Sequence, residues 1–461
     1  MRSPLSISSR ARRLALTGAV VFAVLTVAYT ASVDIRASRG AAITGDEPFY
    51  LLTTQSLLQD GDLDLRNQEA ERSYEAFFDH PVGLWRQSVP LADGTLLSPH
   101  DPGLSILLLP GFALAGLVGV QAQSLVLAAL IFTMAWALAV RLGAGMWWSA
   151  AAALAVGLSA SPFVYATEVY PELPAALALL GALHLGMGSR PGLLRALGVA
   201  AVLTALMWLG IKYAPLAGLT GAWALWRAGG QGRGALAGAG ALSAGVYGWW
   251  HLHTFGALTP YSVGIVYAGQ DTASVLGQHL AFLGRAYRLV GLLADERFGL
   301  ARWSPVVLVA VAGLGMLARR GGAPRLLAGL VGAQVAIAVF VAITMMGWWF
   351  PGRTLMTVVP LLAVPLALVL TRGGHGVRWV SGVLAAYSCA VTAALAWAGH
   401  AREVVIAVDP FALGFALFRA LAFLFPDYRA WGWETGLLTL AWGCALLASL
   451  AWGWRVDRAP E

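Results

Sequence analysis

Two adjacent carboxylates, Asp46 and Glu47, stand in the stretch ITGDEPFYLL, which follows the first long apolar run. A positioned carboxylate can act as a general base. The same residues also predict a helix start: Asp46 fits an N-cap, Glu47 favours the positive dipole end, and Pro48 fits the first turn. This helix is expected to run to about Gln59. A cap needs only one acid, so a chemical role stays open beside the capping interpretation.

Acidic residues recur in later polar stretches. Glu168 and Glu172 are four apart, but Pro171 between them argues against one continuous helix. Glu172 precedes an apolar run, so capping and a functional role are both open. Asp62 and Asp64 form an Asp-X-Asp, a spacing that binds metal in some sugar-nucleotide enzymes and that equally fits a turn leaving a helix.

The cations beside apolar runs are few. Lys212 is the only lysine of the chain and lies between two apolar runs, where it either snorkels to the interface or binds a phosphate as a compact charge. Arg353 stands in a Gly/Pro turn and is a candidate anion ligand. His100 and Asp101 lie between two prolines, which predict an extended approach to the next apolar run.

The composition indicates which elements must position these residues. Of 461 residues, 59% are hydrophobic and 11% are charged, and the mean hydropathy is +0.71. These values predict a polytopic membrane protein and exclude an ordinary soluble domain. Despite a pI of about 9.7, the arginines are scattered between apolar runs, so nucleic acid is not expected as a partner. The two cysteines lie within apolar runs, which argues against a disulfide framework.

Apolar runs of spanning length predict about twelve transmembrane helices. The first is interpreted as a retained anchor rather than a cleaved signal peptide. Two further runs, 104–118 and 411–425, are ambiguous. The predicted spans are 14–31, 122–140, 146–164, 173–189, 194–211, 213–226, 235–252, 303–318, 327–347, 354–371, 379–398 and 435–454.

The arginines orient the spans. Several precede the first span, so the N-terminus is expected in the cytoplasm. Ten later arginines also fall inside if 104–118 lies flat as an interfacial helix, namely Arg141, Arg190, Arg195, Arg227, Arg233, Arg319, Arg320, Arg325, Arg372 and Arg378. Arg455 and Arg458 then fall inside too, and the C-terminus is cytoplasmic, provided that 411–425 does not cross. Nearly all acids fall outside, which places the polar chemistry on the extracytoplasmic face. The predicted organisation is a cytoplasmic N-terminus with the first span (1–31), an extracytoplasmic loop with interfacial helices (32–121), a transmembrane core (122–371), and C-terminal spans with a loop (372–461).

The order of these motifs resembles the GT-C superfamily of membrane glycosyltransferases, especially the branch of protein O-mannosyltransferases and aminoarabinose transferases. The resemblance covers most of residues 40–365. It rests on the acid pair followed by Tyr50 and Gly61-Asp62, on His100-Asp101-Pro102-Gly103 before an interfacial helix, on Glu172, on Lys212-Tyr213-Ala214-Pro215, and on three later segments (Phe255–Pro260, Gly299–Pro305 and Arg353–Pro360). Three departures stand out: the family's His/Lys-Pro-Pro is His-Asp-Pro here, its second acid is more usually Asp, and the Gly-Pro that follows its lysine is Tyr-Ala-Pro here.

The resemblance implies an inverting transfer of a sugar from a polyprenyl-phosphate donor to an acceptor hydroxyl on a glycan, lipid or protein. It implies Asp46 as general base, with Glu47 and Glu172 orienting the acceptor or a cation. Lys212 and Arg353 would bind the leaving phosphate, with His100, Asp101 and Tyr50 as further substrate-binding residues. His100, His251 and His253 are weaker candidates for the base. A divalent cation is possible, because some branches of the family use one. The fold implied is a GT-C-type helical bundle in the cell membrane.

Two other classes of protein stay open. A lipid-linked glycan polymerase or ligase would share the many spans and the large outer loop, but would rely on arginines and histidines. A transporter would place ionisable residues in mid-span, facing a cavity, whereas charges avoid the span centres here. If the GT-C resemblance is meaningful, Asp46, Glu172, Lys212 and Arg353 must converge on one cavity.

Overall fold

The computed structural model describes residues 4–85, 87–91, 93–188, 192–256, 282–342 and 344–457. These residues are largely helical, which confirms the prediction of an all-α polytopic membrane protein. A short antiparallel pair of strands, Val89–Pro90 with Leu96–Leu97, lies in the first polar loop. The α-helices are Pro4–Tyr29, Glu47–Gln59, Arg66–Ala70, Gly103–Arg141, Met146–Gly157, Ala160–Tyr165, Glu172–Gly186, Leu193–Leu209, Ala214–Arg227, Gly230–Phe255, Phe282–Arg285, Arg288–Ala294, Leu300–Trp303, Val307–Arg319, Ala323–Ala336, Ala363–Arg372, His375–His400, Ala416–Ala420 and Trp433–Val456.

The predicted spans fall on these helices. Within the described ranges, five helical segments are long and apolar enough to cross a membrane. They are Ser9–Ser32, Gly103–Arg141, Ala323–Val341, His375–His400 and Trp433–Val456. Span 235–252 lies in the long helix Gly230–Phe255, and span 354–371 combines 3₁₀ turns with helix Ala363–Arg372. Span 146–164 is divided between Met146–Gly157 and Ala160–Tyr165, and the remaining predicted spans coincide with shorter helices. The chain is therefore an integral membrane protein.

Helix Gly103–Arg141 is bent back on itself. Ala115 and Gly116 leave helical geometry, and Gly116 has φ 55°, a left-handed value that glycine adopts without a steric penalty. The part before the break has about twelve residues, or roughly 18 Å of helix, which is too short to cross a membrane alone. This geometry fits the expectation that 104–118 does not form a separate span.

The two arms of this bent helix are joined by backbone contact. A Cβ atom on Gly119 would lie 2.0 Å from the carbonyl oxygen of Gly111. The Gln123 side chain accepts a hydrogen bond from the Gly111 N–H (2.8 Å) and donates one to the Leu107 carbonyl (2.7 Å). The first arm is thus fixed against the second.

The second ambiguous run, 411–425, forms only short turns. Pro410–Ala412 and Ala422–Leu424 are 3₁₀ turns, and Ala416–Ala420 is a single helical turn between them. None of these pieces is long enough to span a bilayer. This arrangement fits the expectation from the arginine count that 411–425 does not cross the membrane.

The bundle core lies around two helices rich in small and aliphatic residues. Glu172–Gly186 packs against Leu193–Leu209 and Gly103–Arg141, while Ala363–Arg372 packs against Val307–Arg319 and Met146–Gly157.

The two ends of Glu172–Gly186 differ in charge. At its C-terminal end, Arg141 donates hydrogen bonds to the carbonyls of His184 (2.9 Å) and Met187 (2.6 Å), and Arg227 donates to Gly186 (3.1 Å). Carbonyls at the end of a helix lack intrahelical donors, so arginines there complete their hydrogen bonding. The N-terminal end begins at Glu172, one of the predicted site residues. Arginines predicted to be cytoplasmic and the candidate site thus lie at opposite ends of one helix.

Candidate functional site

Four predicted site residues lie at the ends of separate elements. Asp46 precedes helix Glu47–Gln59, and Glu172 is the first residue of Glu172–Gly186. Lys212 lies in the 3₁₀ turn Ile211–Tyr213, which joins two spans, and Arg353 begins the 3₁₀ turn Arg353–Leu355. Loops and helix ends can present side chains to a common space while the helices fix their positions.

These four residues form a continuous ion-paired group, here named the charged cluster. An Nη of Arg353 lies 2.8 Å from Oδ2 of Asp46, and its Nε lies 3.4 Å from Oε1 of Glu172. The Nζ of Lys212 lies 2.8 Å from the same Glu172 oxygen. Residues up to 307 positions apart in the chain are therefore in direct contact.

Arg353 is held in place from two sides. Gly352 before it has φ 93°, and a Cβ there would lie 2.9 Å from Leu300 and 3.0 Å from the Ser161 hydroxyl. The guanidinium lies 3.8 Å from the centroid of the Tyr170 ring, a distance suited to a cation–π contact. The sequence alone gives no reason to single out Tyr170, although it belongs to the polar stretch that contains Glu168 and Glu172.

Asp46 does not cap its helix as the sequence predicts. It has helical backbone angles, and its side chain makes no capping hydrogen bond, because the carboxylate faces Arg353 instead. Burial acts to raise the pKa of Asp46, but the charges of Arg353 and His100 and the hydrogen bond from Arg353 bring that pKa below its ordinary value. Asp46 is therefore an ionised carboxylate at neutral pH, with about a quarter of its side chain exposed.

Glu47 is buried and fully engaged by the backbone. Its Oε2 accepts a hydrogen bond from the Thr44 N–H (2.7 Å), and its Oε1 accepts one from the Val169 N–H (2.9 Å). Burial raises the pKa of Glu47 to about 7 despite these two bonds. The prediction that Glu47 orients an acceptor or a cation does not fit this geometry. Its carboxyl joins the first polar loop to the segment before Glu172.

Glu168 lies next to this carboxyl and is also buried. Neither of its oxygens has a hydrogen-bond partner among the described residues. Burial, and then the charge of Glu47, raise the pKa of Glu168 well above its ordinary value. A buried carboxyl without a partner is favoured in its neutral form. The sequence places Glu168 near the site without indicating that it would be unpaired.

His100 lies at the edge of the charged cluster. Its Nε2 is 3.9 Å from Oδ1 of Asp46 and 3.2 Å from the Gln87 side-chain oxygen. Its ring stacks on Tyr50 with centroids 4.7 Å apart. Burial lowers the pKa of His100, so the ring is neutral near pH 7. His100 and Tyr50 thus lie where substrate contact was predicted.

Asp101 lies deeper than the sequence suggests. Only 6% of the residue is exposed. Its Oδ1 accepts hydrogen bonds from the Tyr247 hydroxyl and from Nε2 of His251, each at 2.9 Å, and its Oδ2 faces the Ile211 N–H at 3.3 Å. Protein donors thus face both oxygens of Asp101, and its contact with substrate stays a prediction.

The remaining candidates lie apart from the charged cluster. Asp62 accepts a hydrogen bond from the Ser56 hydroxyl, and Asp64 accepts hydrogen bonds from the Leu96 N–H and the Arg66 side chain. These local partners fit the interpretation of Asp62 and Asp64 as part of a turn. His253 stacks on Trp249.

The described residues include no group of three or more His, Cys, Asp or Glu side chains able to hold a metal ion. Asp46 and Glu172, the acids nearest the site's centre, face Arg353 and Lys212 instead. These residues do not fit a metal centre.

Two recesses adjoin the site. The first is largely apolar, has a volume of about 10 Å³, which is room for about one water molecule, and has Glu168 on its wall. The second lies beside His100 and is equally small, at about 10 Å³. The residues of the second recess are Thr53, Leu63, Leu97, Ser98, His100, Pro102, Trp250 and Phe255.

Comparisons with known proteins give one structural likeness. No family model matches the chain, and no curated protein matches it significantly. A solved structure described as "Crystal Structure of ArnT from Cupriavidus metallidurans bound to Undecaprenyl phosphate" is similar, with 15% identity over 95% of this chain and 75% of that chain and a TM-score of 0.44. A likeness of this extent supports no statement about family or activity.

Proposed function

We propose that this chain is an inverting glycosyltransferase that moves a sugar from a polyprenyl-phosphate donor to an acceptor hydroxyl at the extracytoplasmic face. The observation that carries the proposal is the charged cluster itself. Two cations, Arg353 and Lys212, lie in direct contact with the acids Asp46 and Glu172 at one end of a membrane bundle. A phosphate leaving group needs cations, and an attacking hydroxyl needs a base, so this composition matches both requirements.

In the proposed reaction, an acceptor oxygen attacks the anomeric carbon of the donor sugar. The bond between that carbon and the phosphate oxygen breaks, and its electron pair stays on the phosphate. The acceptor proton passes to a carboxylate oxygen of Asp46. Arg353 and Lys212 stabilise the charge that develops on the phosphate. Attack from the face opposite the leaving group inverts the anomeric centre.

The contact between Arg353 and Asp46 controls how strong a base Asp46 is. The guanidinium is bound to both Asp46 and Glu172. A bound phosphate would compete for the same guanidinium N–H groups, and any loss of the Arg353 contact would raise the pKa of Asp46 towards its ordinary value. Binding of the donor would then make Asp46 a stronger base.

The recess beside His100 would receive a sugar ring only by widening, since its volume is about 10 Å³ in this structure. Its wall combines the faces of Trp250 and Phe255 with the polar side chains of Ser98 and His100. Apolar and aromatic walls with a few fixed polar groups are typical of small-molecule sites. Because His100 also faces Asp46, a sugar in this recess would lie next to the proposed base.

The proposal is tested by Asp46→Asn, which keeps the side-chain shape and removes the basic carboxylate. Purified protein in lipid nanodiscs would be supplied with a panel of polyprenyl-phosphate sugars and a lipid and glycan extract as acceptor. We expect wild-type protein to release polyprenyl phosphate from at least one donor, and the variant to be slower by about a hundredfold or more.

The matched control is Asp79→Asn. Asp79 is half exposed and forms an ion pair with Arg36 at 2.7 Å, outside the charged cluster. The control should transfer sugar at the wild-type rate. Undiminished transfer by Asp46→Asn would remove Asp46 as the base, and wild-type protein that neither binds polyprenyl phosphate nor consumes any donor would overturn the proposed function.

A further inference from the structure

A second polar group lies behind the charged cluster and is not part of it. Asp101, Tyr247 and His251 are all nearly or fully inaccessible to solvent, at 6%, 3% and 0% exposure. They connect the loop before Gly103–Arg141 with the last turns of Gly230–Phe255. They are here named the buried triad. A buried carboxylate and imidazole are retained only where their hydrogen bonds are satisfied, because unpaired burial of such groups is costly.

The contacts of His251 define the proton content of the triad. Its Nε2 faces Oδ1 of Asp101, and its Nδ1 lies 2.9 Å from the Tyr247 carbonyl oxygen, which can only accept. Both ring contacts are satisfied if Nδ1 carries a proton and a second proton lies between Nε2 and the Asp101 carboxyl. The Asp101–His251 pair is therefore neutral in sum and joined by a strong, charge-assisted hydrogen bond.

The surroundings of the pair exclude water. The ring centroid of His251 lies 4.7 Å from that of Trp250, 5.8 Å from Phe255 and 6.1 Å from Trp208. A hydrogen bond between partly charged groups is stronger in such a low-dielectric space than in water.

The triad is connected through the backbone to both sides of the charged cluster. Asp101 directly follows His100, whose ring faces Asp46, and its Oδ2 accepts from Ile211, the residue before Lys212. The backbones also meet directly, since a Cβ on Gly103 would lie 2.3 Å from the Trp208 carbonyl oxygen. One carboxylate thus fixes the position of the loop that carries His100 relative to the turn that carries Lys212.

We propose that the buried triad is a positioning site: by holding the His100 loop and the Lys212 turn at a fixed separation, Asp101, Tyr247 and His251 set the affinity of the charged cluster for the phosphate of a polyprenyl phosphate. This inference rests on the proposed function. The three side chains act without contacting the phosphate. Their loss changes where Lys212 stands rather than which groups meet the ligand.

The test uses full-length protein in nanodiscs, undecaprenyl monophosphate as ligand, and the variants His251→Leu, His251→Gln and Tyr247→Phe. A glutamine amide nitrogen takes nearly the place of Nε2 of histidine and can still donate to Asp101, whereas leucine cannot. We expect His251→Leu to weaken undecaprenyl phosphate binding by about tenfold or more, because small displacements of a binding group are costly. His251→Gln should restore the affinity to within about threefold of wild type on the same reasoning.

Tyr247→Phe removes one donor to Asp101 and should weaken binding by an intermediate factor. Its matched control is Tyr29→Phe, which removes a buried hydroxyl bonded to the Gly157 carbonyl at 2.9 Å, away from the charged cluster. That control should bind as wild type does. In turnover assays the triad variants should raise KM more than they lower kcat.

Wild-type affinity in both His251→Leu and Tyr247→Phe would overturn the positioning role while leaving the proposed function intact. Equal weakening by Tyr247→Phe and Tyr29→Phe would also overturn it, since that result would indicate a general effect of lost stability. Absence of undecaprenyl phosphate binding by the wild-type protein would instead contradict the proposed function.

Discussion

Asp46 and Glu47 are adjacent carboxylates that the fold places in opposite electrostatic environments. Asp46 faces Arg353 and stays ionised, while Glu47 turns inward to two backbone N–H groups and has a pKa of about 7. Proximity in sequence therefore does not make the two acids a shared catalytic pair. Each has a separate role: Asp46 is available to a ligand, and Glu47 fixes the loop that presents it.

Buried carboxyls with raised pKa values predict how stability depends on pH. Glu47 and Glu168 bind protons more tightly in the folded than in the unfolded protein. Their contribution to the free energy of unfolding is therefore fully present below their ordinary pKa, and it is lost as the pH rises through the raised pKa. For Glu47 this window runs from 4.5 to about 7, equivalent to about 3 kcal/mol. The lowered pKa of Asp46 affects the free energy of unfolding only in more acidic solution, below the ordinary pKa of an aspartate.

We therefore expect the wild-type protein in detergent to melt at a lower temperature at pH 8 than at pH 5. Glu168→Gln substitutes a neutral side chain for an unpaired carboxyl and should reduce this difference by raising the melting temperature at pH 8. Glu71→Gln, at an exposed position, should leave the pH dependence unchanged. A pH dependence in Glu168→Gln identical to that of wild type would contradict the account of this carboxyl.

At the scale of elements, the apolar runs were sufficient to predict the helices but not how they pack. Run length predicted where most helices lie, and Pro171 correctly indicated that Glu168 and Glu172 are not on one helix. The bend at Gly116 and the contact between Gly111 and Gly119 were not predictable, because the chain has 54 glycines and most have no such role visible in the sequence. Which glycine permits close approach depends on the neighbouring helix, which local sequence does not specify.

The contact between the two arms of Gly103–Arg141 predicts an intolerance of side chains at Gly119. Gly119→Ala would place a methyl group against the Gly111 carbonyl and should lower the free energy of unfolding by about 1–3 kcal/mol, because backbone cannot move aside as a side chain can. The measurement is thermal unfolding in detergent. Gly218→Ala is the matched control, since nothing lies within 4 Å of its Cβ position, and it should be neutral or slightly stabilising. Equal effects of the two substitutions would contradict the close contact.

The site forms because successive helices run in alternating directions through the bundle, so that alternate helix ends meet on one side. Asp46, Glu172, Lys212 and Arg353 each stand at an element end that the arginine pattern assigns to the same side, which made their convergence predictable from sequence. Their pairing was not predictable: that Arg353 contacts both acids while Lys212 contacts only Glu172 depends on packing between distant helices. The triad partners of Asp101 were hidden for the same reason.

The proposed reaction requires the charged cluster to face outward, and this predicts the orientation of the bundle in the membrane. In a background with Cys389 and Cys444, both unpaired, replaced by alanine, single cysteines are introduced at Glu75 and Gly230. Glu75 is exposed in the first polar loop, and Gly230 is exposed at the start of helix Gly230–Phe255, at the arginine-rich end. We expect a membrane-impermeant maleimide to label Glu75→Cys in intact cells and Gly230→Cys only after permeabilisation. The reverse result would turn the charged cluster towards the cytoplasm and the arginine-rich end outward, against the electrostatic preference of arginine-rich loops for the cytoplasmic side, and would contradict the proposed face of sugar transfer.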